Sequence, residues 1–202
     1  WSAGPNENTL VSFQKSYDAH LDGVEFDVRF DRDGKTVVLS HDKVTVDDVL
    51  TLEEALRFFA TTKLKLLIEF KEYSDDFFNE VVRLVGMHQL LDRVTIFGFP
   101  ETAKHFPWST EREVKLGIIA PYPHNLKNYI LAHNPDMILL GWGNKTERMM
   151  FKIVWTVLSL ANSFAKYPHV KFIIGVTYSE KDKAWLSRQN GLYGTILDMP
   201  LS

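Results

Sequence analysis

One predicted hairpin carries two acidic residues and a histidine at a spacing suited to chemistry. Glu25 and Asp27 alternate with apolar residues in a predicted strand, so both side chains lie on one face with Cα atoms roughly 6.6 Å apart. The pair Asp33-Gly34 is typical of a hairpin turn, and a return strand from Thr36 to Ser40 brings His41 toward the same end. Two such carboxylates can share a metal ion, and an imidazole transfers protons near neutral pH. A metal-assisted hydrolase is therefore the first hypothesis.

A second polar pair, Glu69 and Lys71, ends an apolar strand predicted over Leu64–Phe70. Catalytic residues of parallel barrels lie at the carboxyl ends of strands, which is where this pair and the hairpin carboxylates fall. Three carboxylates around one centre repel each other unless a cation neutralises them, and Mg²⁺ or Ca²⁺ is the expected ion. Lys71 could pair with a phosphate. The alternative interpretations are a surface ion pair for Glu69 and Lys71, and an exposed edge for the hairpin.

The elements that must position these residues alternate along the chain. Apart from the return strand, seven strands are predicted with helices between them, and such alternation indicates a parallel sheet. Because a (β/α)₈ TIM barrel needs eight strands, the expected fold is an α/β barrel over residues 1–202 as a single domain. Its first strand is expected before Trp1, its hairpin after the second barrel strand, and only a minimal insertion follows His41.

Helix signals refine this pattern. Asn8 or Thr9 can cap a first helix, and Thr51 can cap a helix over Leu52–Ala60. A long helix is predicted over Thr146–Lys166, and its segment 149–164 is unusually apolar. This segment is shorter than the roughly 20 apolar residues that a membrane span needs, so no transmembrane segment is expected. Packing on the barrel, a homo-oligomer contact and a peripheral membrane face remain open for it.

Composition narrows the class of protein. The 202 residues are 45% hydrophobic and 24% charged, which are ordinary values for a globular domain. With a net charge of −3 and no long basic run, a nucleic-acid partner is not expected. The absence of cysteine excludes disulfides and thiolate metal sites and fits a cytoplasmic protein. Because the sequence opens on Trp1 and not on Met, an upstream segment, including a signal peptide, is also consistent with it.

Five motifs in order resemble the glycerophosphodiester phosphodiesterase family. Glu7-Asn8-Thr9 is similar to the start of its first helix, and Gly23-Val-Glu-Phe-Asp-Val is similar to its metal-binding strand. Ser40-His41-Asp42 and Ile68-Glu69-Phe70-Lys71 resemble its next two motifs. The closing motif resembles Gly194-Thr-Ile-Leu-Asp-Met-Pro200. Each match alone is weak, but their order and spacing extend over almost the whole chain.

The resemblance implies metal-dependent hydrolysis of a small-molecule phosphodiester to glycerol phosphate and an alcohol. By the same resemblance Glu25, Asp27 and Glu69 bind the metal. His41 is then a catalytic acid/base and Lys71 a catalytic residue that stabilises phosphate charge. In the family a neighbouring hydroxyl of the substrate attacks phosphorus and expels the alcohol, and water then opens the cyclic phosphate. The family's first strand ends in His-Arg-Gly, which supplies a second histidine and a phosphate-binding arginine, and this motif is expected just upstream of the sequence.

Two departures from the family pattern leave the substrate open. Only about ten residues separate His41 from the next predicted helix, where family members usually carry a larger insertion over the site. The family often has Trp-Thr-x-Asn on its seventh strand, where this chain has the residues 176–179, Val-Thr-Tyr-Ser. Besides glycerophosphodiester hydrolysis, a phospholipase D-like activity on lysolipid or sphingolipid head groups and a non-catalytic barrel that binds phosphorylated ligands are the alternatives.

Overall fold

A computed structural model describes residues 7–46, 48–109, 111–121, 123–142, 144–177 and 179–197, with only the backbone of residues 145 and 176. By its internal contacts the chain divides into two compact units: residues 1–115 with 200–202, and residues 116–199. Each unit is an α/β arrangement with parallel strands. The single domain over residues 1–202 stays a prediction.

The first unit contains a sheet in the order β2-β1-β3-β4, in which β1 and β2 are antiparallel and the other pairs are parallel. The side chains of Thr9 and Thr51 cap the first two helices of this unit. Of the two caps predicted for the first helix, Asn8 and Thr9, the structure therefore has Thr9. The elements of this unit are α1 (Leu10–Asp18), β1 (Gly23–Phe30), β2 (Val37–Leu39), α2 (Leu52–Ala60), β3 (Lys65–Phe70), α3 (Asp75–Met87), β4 (Val94–Gly98) and α4 (Pro100–Ala103).

The turn between β1 and β2 depends on Gly34 and Asp31. Gly34 has φ 69°, a left-handed conformation that glycine adopts at little cost. The Asp31 carboxylate accepts a hydrogen bond from the Lys35 N–H at 2.8 Å, and the Asp31 N–H donates to the Thr36 carbonyl at 2.8 Å. The return strand then pairs Leu39 with Val28. The turn therefore sets where the chain leaves the sheet at His41.

Three phenylalanines form the core that holds β1 in register. The rings of Phe13, Phe26 and Phe59 lie 4.8–5.5 Å from one another, and each is fully buried. Burying a phenylalanine side chain contributes roughly 1.5–3 kcal/mol. Since side chains alternate along a strand, anchoring Phe26 in the core turns Glu25 and Asp27 to the opposite face of β1.

The second unit contains a sheet in the order β5-β6-β7-β8, and all of its strand pairs are parallel. None of the helices in the described part of the chain is long and apolar enough to cross a membrane. The elements of this unit are β5 (Lys115–Ile119), a 3₁₀ turn (Pro123–Asn125), α5 (Leu126–His133), β6 (Met137–Leu140), α6 (Lys145–Val157), α7 (Leu160–Phe164), β7 (Lys171–Thr177), α8 (Glu180–Leu186) and β8 (Gly194–Leu197).

The single long helix predicted over 146–166 is wrong, and so is the continuous apolar helix 149–164. Ser159 has φ 47° and ψ 52°, a left-handed conformation that interrupts the helical hydrogen bonds, and α6 and α7 lie on either side of it. The turn lets Leu160 and Phe164 of α7 reach the core, where both are buried. Sequence periodicity did not show the break, because apolar spacing continues through Ser159.

A buried carboxylate joins α6 to α8. Asp182 is 2% exposed, and its carboxylate accepts hydrogen bonds from Arg148 at 3.0 Å, Lys152 at 2.8 Å and the Ser179 hydroxyl at 2.8 Å. Burial alone would raise the pKa of Asp182, but the hydrogen bonds and charges of these partners lower it below its ordinary value. The ionised form is therefore the one that folding stabilises.

Replacing Asp182 should destabilise the protein in a pH-dependent way. Asp182→Asn removes hydrogen bonds to charged groups, and we expect the free energy of unfolding near pH 7 to fall by about 1.5–3 kcal/mol. Because folding lowers the pKa of Asp182, its contribution is complete above the ordinary value of 3.8 and is lost as the pH falls through the lower folded value. Urea denaturation at several pH values measures both effects.

Glu180→Gln is the matched control, since Glu180 lies on the same helix with its side chain 76% exposed. We expect its free energy of unfolding to stay within about 0.5 kcal/mol of that of the wild type. An Asp182→Asn protein as stable as this control at neutral pH would contradict the assigned role.

Candidate active site

The acidic residues come from two neighbouring strands of the first unit. β1 and β3 are parallel and pair Asp27 directly with Glu69, so these side chains share a face. Glu25 lies two residues earlier on β1, and Lys71 follows the last residue of β3. Carboxylate oxygens of Glu25, Asp27 and Glu69 all lie within 4.8 Å of one another. The structure thus brings together the three carboxylates that the sequence singled out.

Lys71 is the cation that the structure places among these carboxylates. Its Nζ lies 2.9 Å from Asp27 Oδ1 and also donates to Glu69 Oε1. All three side chains are about nine-tenths buried, at 12%, 9% and 10% exposure. The surface ion pair considered for Glu69 and Lys71 is therefore wrong, because the pair is buried and shared with Asp27.

The pKa values show which charges are poorly compensated. Burial, and then the charges of Asp27 and Glu69, hold the pKa of Glu25 well above its usual range. Burial also raises the pKa of Glu69, although Lys71 opposes the shift. Burial alone would lower the pKa of Lys71, but Glu69 and Asp27 together raise it. Lys71 thus stays charged at neutral pH, while Glu25 has the least support for its negative charge.

The donor set fits a hard divalent cation. Three carboxylates and one ammonium leave two negative charges when all are ionised, and Glu7 adds to the repulsion felt by Glu25. Carboxylate oxygens are the ligands that Mg²⁺ and Ca²⁺ prefer. A divalent ion among Glu25, Asp27 and Glu69 would balance the remaining charge and favour the ionised form of Glu25.

Asn8 contacts the candidate site, whereas the sequence analysis considered it as a possible helix cap and as part of the Glu7-Asn8-Thr9 motif and not for this contact. Its side-chain amide donates to Asp27 Oδ2 at 3.1 Å, and its side-chain oxygen accepts from the Asp27 backbone N–H at 3.1 Å. Asn8 is buried and has φ 53°, a left-handed conformation that asparagine tolerates better than most residues. The first bond orients the Asp27 carboxylate at Oδ2, while Lys71 contacts Oδ1, and the second bond holds the backbone of Asp27. The sequence signal was weak, because the contact joins residues 19 positions apart.

His41 lies at the exposed edge of the site, with 58% of its side chain exposed. Burial raises the pKa of Glu69, and the positive charge of a protonated His41 opposes that rise. Asp42 lies 3.0 Å from His41 Nδ1, and Arg29 donates two hydrogen bonds, at 3.1 and 3.0 Å, to the His41 carbonyl. Arg29 was also missed, although it lies two residues after Asp27 and therefore on the same face of β1.

Two motifs, on the predicted seventh strand and at the end of the sequence, lie only partly within the described residues. Thr177 is fully buried at the end of β7, and its hydroxyl donates to the Ile196 carbonyl at 3.1 Å, which is a structural role. Tyr178 of the seventh-strand motif and residues 198–200 of the closing motif lie outside the described residues.

The carboxylates on β1 and β3 and the lysine after β3 form an acidic site with one cation, which is compatible with the chemistry of an anionic substrate. Residues 2–194 match the glycerophosphoryl diester phosphodiesterase family. The chain therefore belongs to this family and is a phosphoric diester hydrolase, which confirms the resemblance found in the sequence. Among curated proteins, none matches this chain significantly.

Several solved structures share the fold. A glycerophosphodiester phosphodiesterase from Parabacteroides distasonis has a TM-score of 0.70 and 16% identity, with 95% of this chain and 85% of that chain covered. A phosphodiesterase from Oleispira antarctica, in complex with the product sn-glycerol-3-phosphate, has a TM-score of 0.67 and 17% identity over 95% and 87%. A calcium-dependent phosphoinositol-specific phospholipase C from Pseudomonas has a TM-score of 0.63 and 11% identity over 97% and 87%. These likenesses confirm the predicted α/β class, while the closed barrel and its upstream first strand stay predictions.

Substitutions of Asn8 should separate its hydrogen bonds from its backbone conformation. Asn8→Gly removes both bonds to Asp27 but tolerates a positive φ, and we expect a loss of about 1–3 kcal/mol in the free energy of unfolding. Asn8→Ala should cost about 1 kcal/mol more, because alanine is strained at φ 53°. Urea denaturation in the presence of chelator measures both variants, and a wild-type midpoint for Asn8→Gly would show that the contact to Asp27 contributes nothing.

Proposed function

We propose that this protein hydrolyses glycerophosphodiesters to glycerol phosphate and an alcohol with the aid of a divalent cation. The observation that carries the proposal is the cluster of Glu25, Asp27 and Glu69 with Lys71, in a chain that belongs to the glycerophosphoryl diester phosphodiesterase family. The product complex of the structurally similar Oleispira antarctica enzyme supports glycerol phosphate as the product class. Family membership also favours an enzyme over the non-catalytic barrel considered from the sequence.

In this proposal Glu25, Asp27 and Glu69 hold Mg²⁺ or Ca²⁺. The cation, when bound, would polarise the phosphate and lower the pKa of a substrate hydroxyl. Asn8 donates one hydrogen bond to the carboxylate of Asp27 and accepts one from the Asp27 backbone N–H, so that ligand is oriented before any ion arrives. The calcium-dependent phospholipase C among the structural neighbours makes Ca²⁺ one candidate ion. Mg²⁺ is the other, because both ions prefer oxygen ligands.

Lys71 and His41 would act on the substrate. Lys71 stays protonated next to Asp27 and Glu69, so it can place a positive charge against a phosphate oxygen that approaches the cluster. Asp42 orients the His41 ring through Nδ1, which directs Nε2 away from it and allows Nε2 to exchange a proton with a substrate oxygen. The two hydrogen bonds from Arg29 hold the backbone of His41 during this exchange.

A phospholipase D-like activity on lysolipid or sphingolipid head groups is the second candidate. The segment between β2 and α2 is short and closes tightly, since the Leu39 N–H donates to the Leu50 carbonyl at 2.8 Å. His41 and Asp42 are correspondingly exposed, with 58% and 95% of their side chains open to solvent. An edge this open in the first unit favours substrates larger than a free glycerophosphodiester.

A substrate panel tests the proposal and separates the two candidates. The full-length protein is incubated with glycerophosphocholine, lysophosphatidylcholine and a chromogenic phosphodiester, each with Mg²⁺, with Ca²⁺ and with chelator. We expect turnover of glycerophosphocholine that requires one of the ions, with release of choline. Turnover of lysophosphatidylcholine alone would replace the first candidate with the second. Turnover that survives chelation would refute the metal-dependent mechanism.

Glu25→Gln should have opposite effects on stability with and without metal. Folding raises the pKa of Glu25, so its ionised form is penalised in the folded protein, and the penalty grows as the pH rises through the folded pKa. Without metal, the variant should therefore be more stable than the wild type at neutral pH. With metal, we expect affinity for the ion to fall by about 10²-fold or more, because a charged ligand is lost.

Calorimetric titration and thermal unfolding with Mg²⁺ or Ca²⁺ and with chelator measure both effects. Glu101→Gln, an exposed acidic residue of α4, is the control and should behave as the wild type. Unchanged metal affinity in Glu25→Gln would remove Glu25 from the ligand set.

A further inference from the structure

The outward side of α6 in the second unit is mainly apolar, although Thr146, Glu147 and Thr156 are also exposed. Met149, Met150, Ile153 and Val157, which we call the α6 face, are 59%, 51%, 49% and 73% exposed. The inward side of the same helix is also apolar, with Phe151 and Trp155 in the core. A surface helix normally presents charged or polar residues on its outer side. The α6 face therefore lacks the composition of a solvated surface.

A groove adjoins the end of α6. It has a volume of about 260 Å³ and lies between α5, the junction of α6 with α7, and the start of β7. Its apolar lining includes Ile130, Leu158 and Phe164, and Leu158 directly follows Val157 of the α6 face. Lys127 and Lys166, both exposed, also line the groove, and no acidic residue is among its lining residues in the described part of the chain. The groove thus combines an apolar floor with a cationic rim.

Positive charge is also concentrated in the part of the sequence that contains α6 and the residues of the groove. The segment 120–172, which contains α5, α6 and α7, has six lysines and arginines and two acidic residues, whereas the whole chain has a net charge of −3. The segment therefore carries about +4 within an acidic protein, or about +3 when the Asp182 carboxylate that binds Arg148 and Lys152 is included. This charge would attract an anionic surface and would repel a second copy of the same segment.

We propose that the α6 face and the adjoining groove bind the surface of an anionic lipid bilayer. The side chains of the α6 face would enter the boundary between head groups and acyl chains, as the apolar side of an interfacial helix does. Lys127 and Lys166 would contact lipid phosphates at the rim of the groove. Such docking would hold the enzyme at a membrane through its surface, and it is independent of the substrate assigned to the acidic cluster.

Vesicle sedimentation with the full-length protein tests this proposal. We expect binding to vesicles of phosphatidylcholine with phosphatidylserine, weaker binding to phosphatidylcholine alone, and a loss of binding as salt is raised. Ile153→Glu with Val157→Glu, and separately Lys127→Glu with Lys166→Glu, should each weaken binding by at least about tenfold. Turnover of soluble glycerophosphocholine and the thermal midpoint should stay unchanged, because all four side chains lie on the surface.

Val11→Glu with Met87→Glu is the matched control, since both residues are exposed and lie in the first unit. It should bind vesicles as the wild type does. Equal loss of binding in this control, equal binding to neutral and anionic vesicles, or no binding by the wild type would each overturn the proposal. A dimer in light scattering that Ile153→Glu dissociates would overturn it too, because a second copy of the chain would then cover the face.

Discussion

Repulsion among three carboxylates, two of them buried and the third half-buried, is the constraint on which the first unit depends. Asp27 and Glu69 are directly paired across parallel strands, and Glu25 lies within 4.8 Å of both. Like charges in such positions destabilise a sheet unless something compensates them. Lys71 compensates two of the three, and the raised pKa of Glu25 shows that the third is left with little support. A further positive charge near Glu25 would therefore stabilise the cluster.

The packing on the other side of β1 keeps this arrangement in place. A slip of β1 by one residue would bury Glu25 and Asp27 in the core and expose Phe26, which is packed between Phe13 and Phe59. The hydrophobic core therefore sets the register that brings Asp27 next to Glu69. Asn8 then sets the orientation of the Asp27 carboxylate, which the register alone leaves undetermined. Register and orientation have separate physical causes in this site.

The features that could be predicted from the sequence are those caused by interactions between residues that are close together in the chain. Strand alternation placed Glu25 and Asp27 on one face, and the capping signal at Thr51 located α2 to the residue, because both effects act over a few positions. The role of Asn8 depends on a left-handed backbone and on a partner 19 positions away, so no local pattern shows it. The break at Ser159 is likewise caused by where Leu160 must pack and not by local propensity.

The positively charged residues of α6 affect both the stability of the second unit and the composition of its surface. Arg148 and Lys152 could have solvated the outer side of the helix, but both bind the buried carboxylate of Asp182. Trp185 of α8 also lies 4.9 Å from the Lys152 ammonium, which adds a cation–π contact to the same inward side. The two cations therefore stabilise the packing of α6 on α8 and leave Ile153 and Val157 without charged neighbours on their own helix face. The ion pairs with Asp182 hold α6 against α8 and keep Arg148 and Lys152 away from the outer side of α6. If these two residues turned outward to add charge to that side, the ion pairs with Asp182 would be lost.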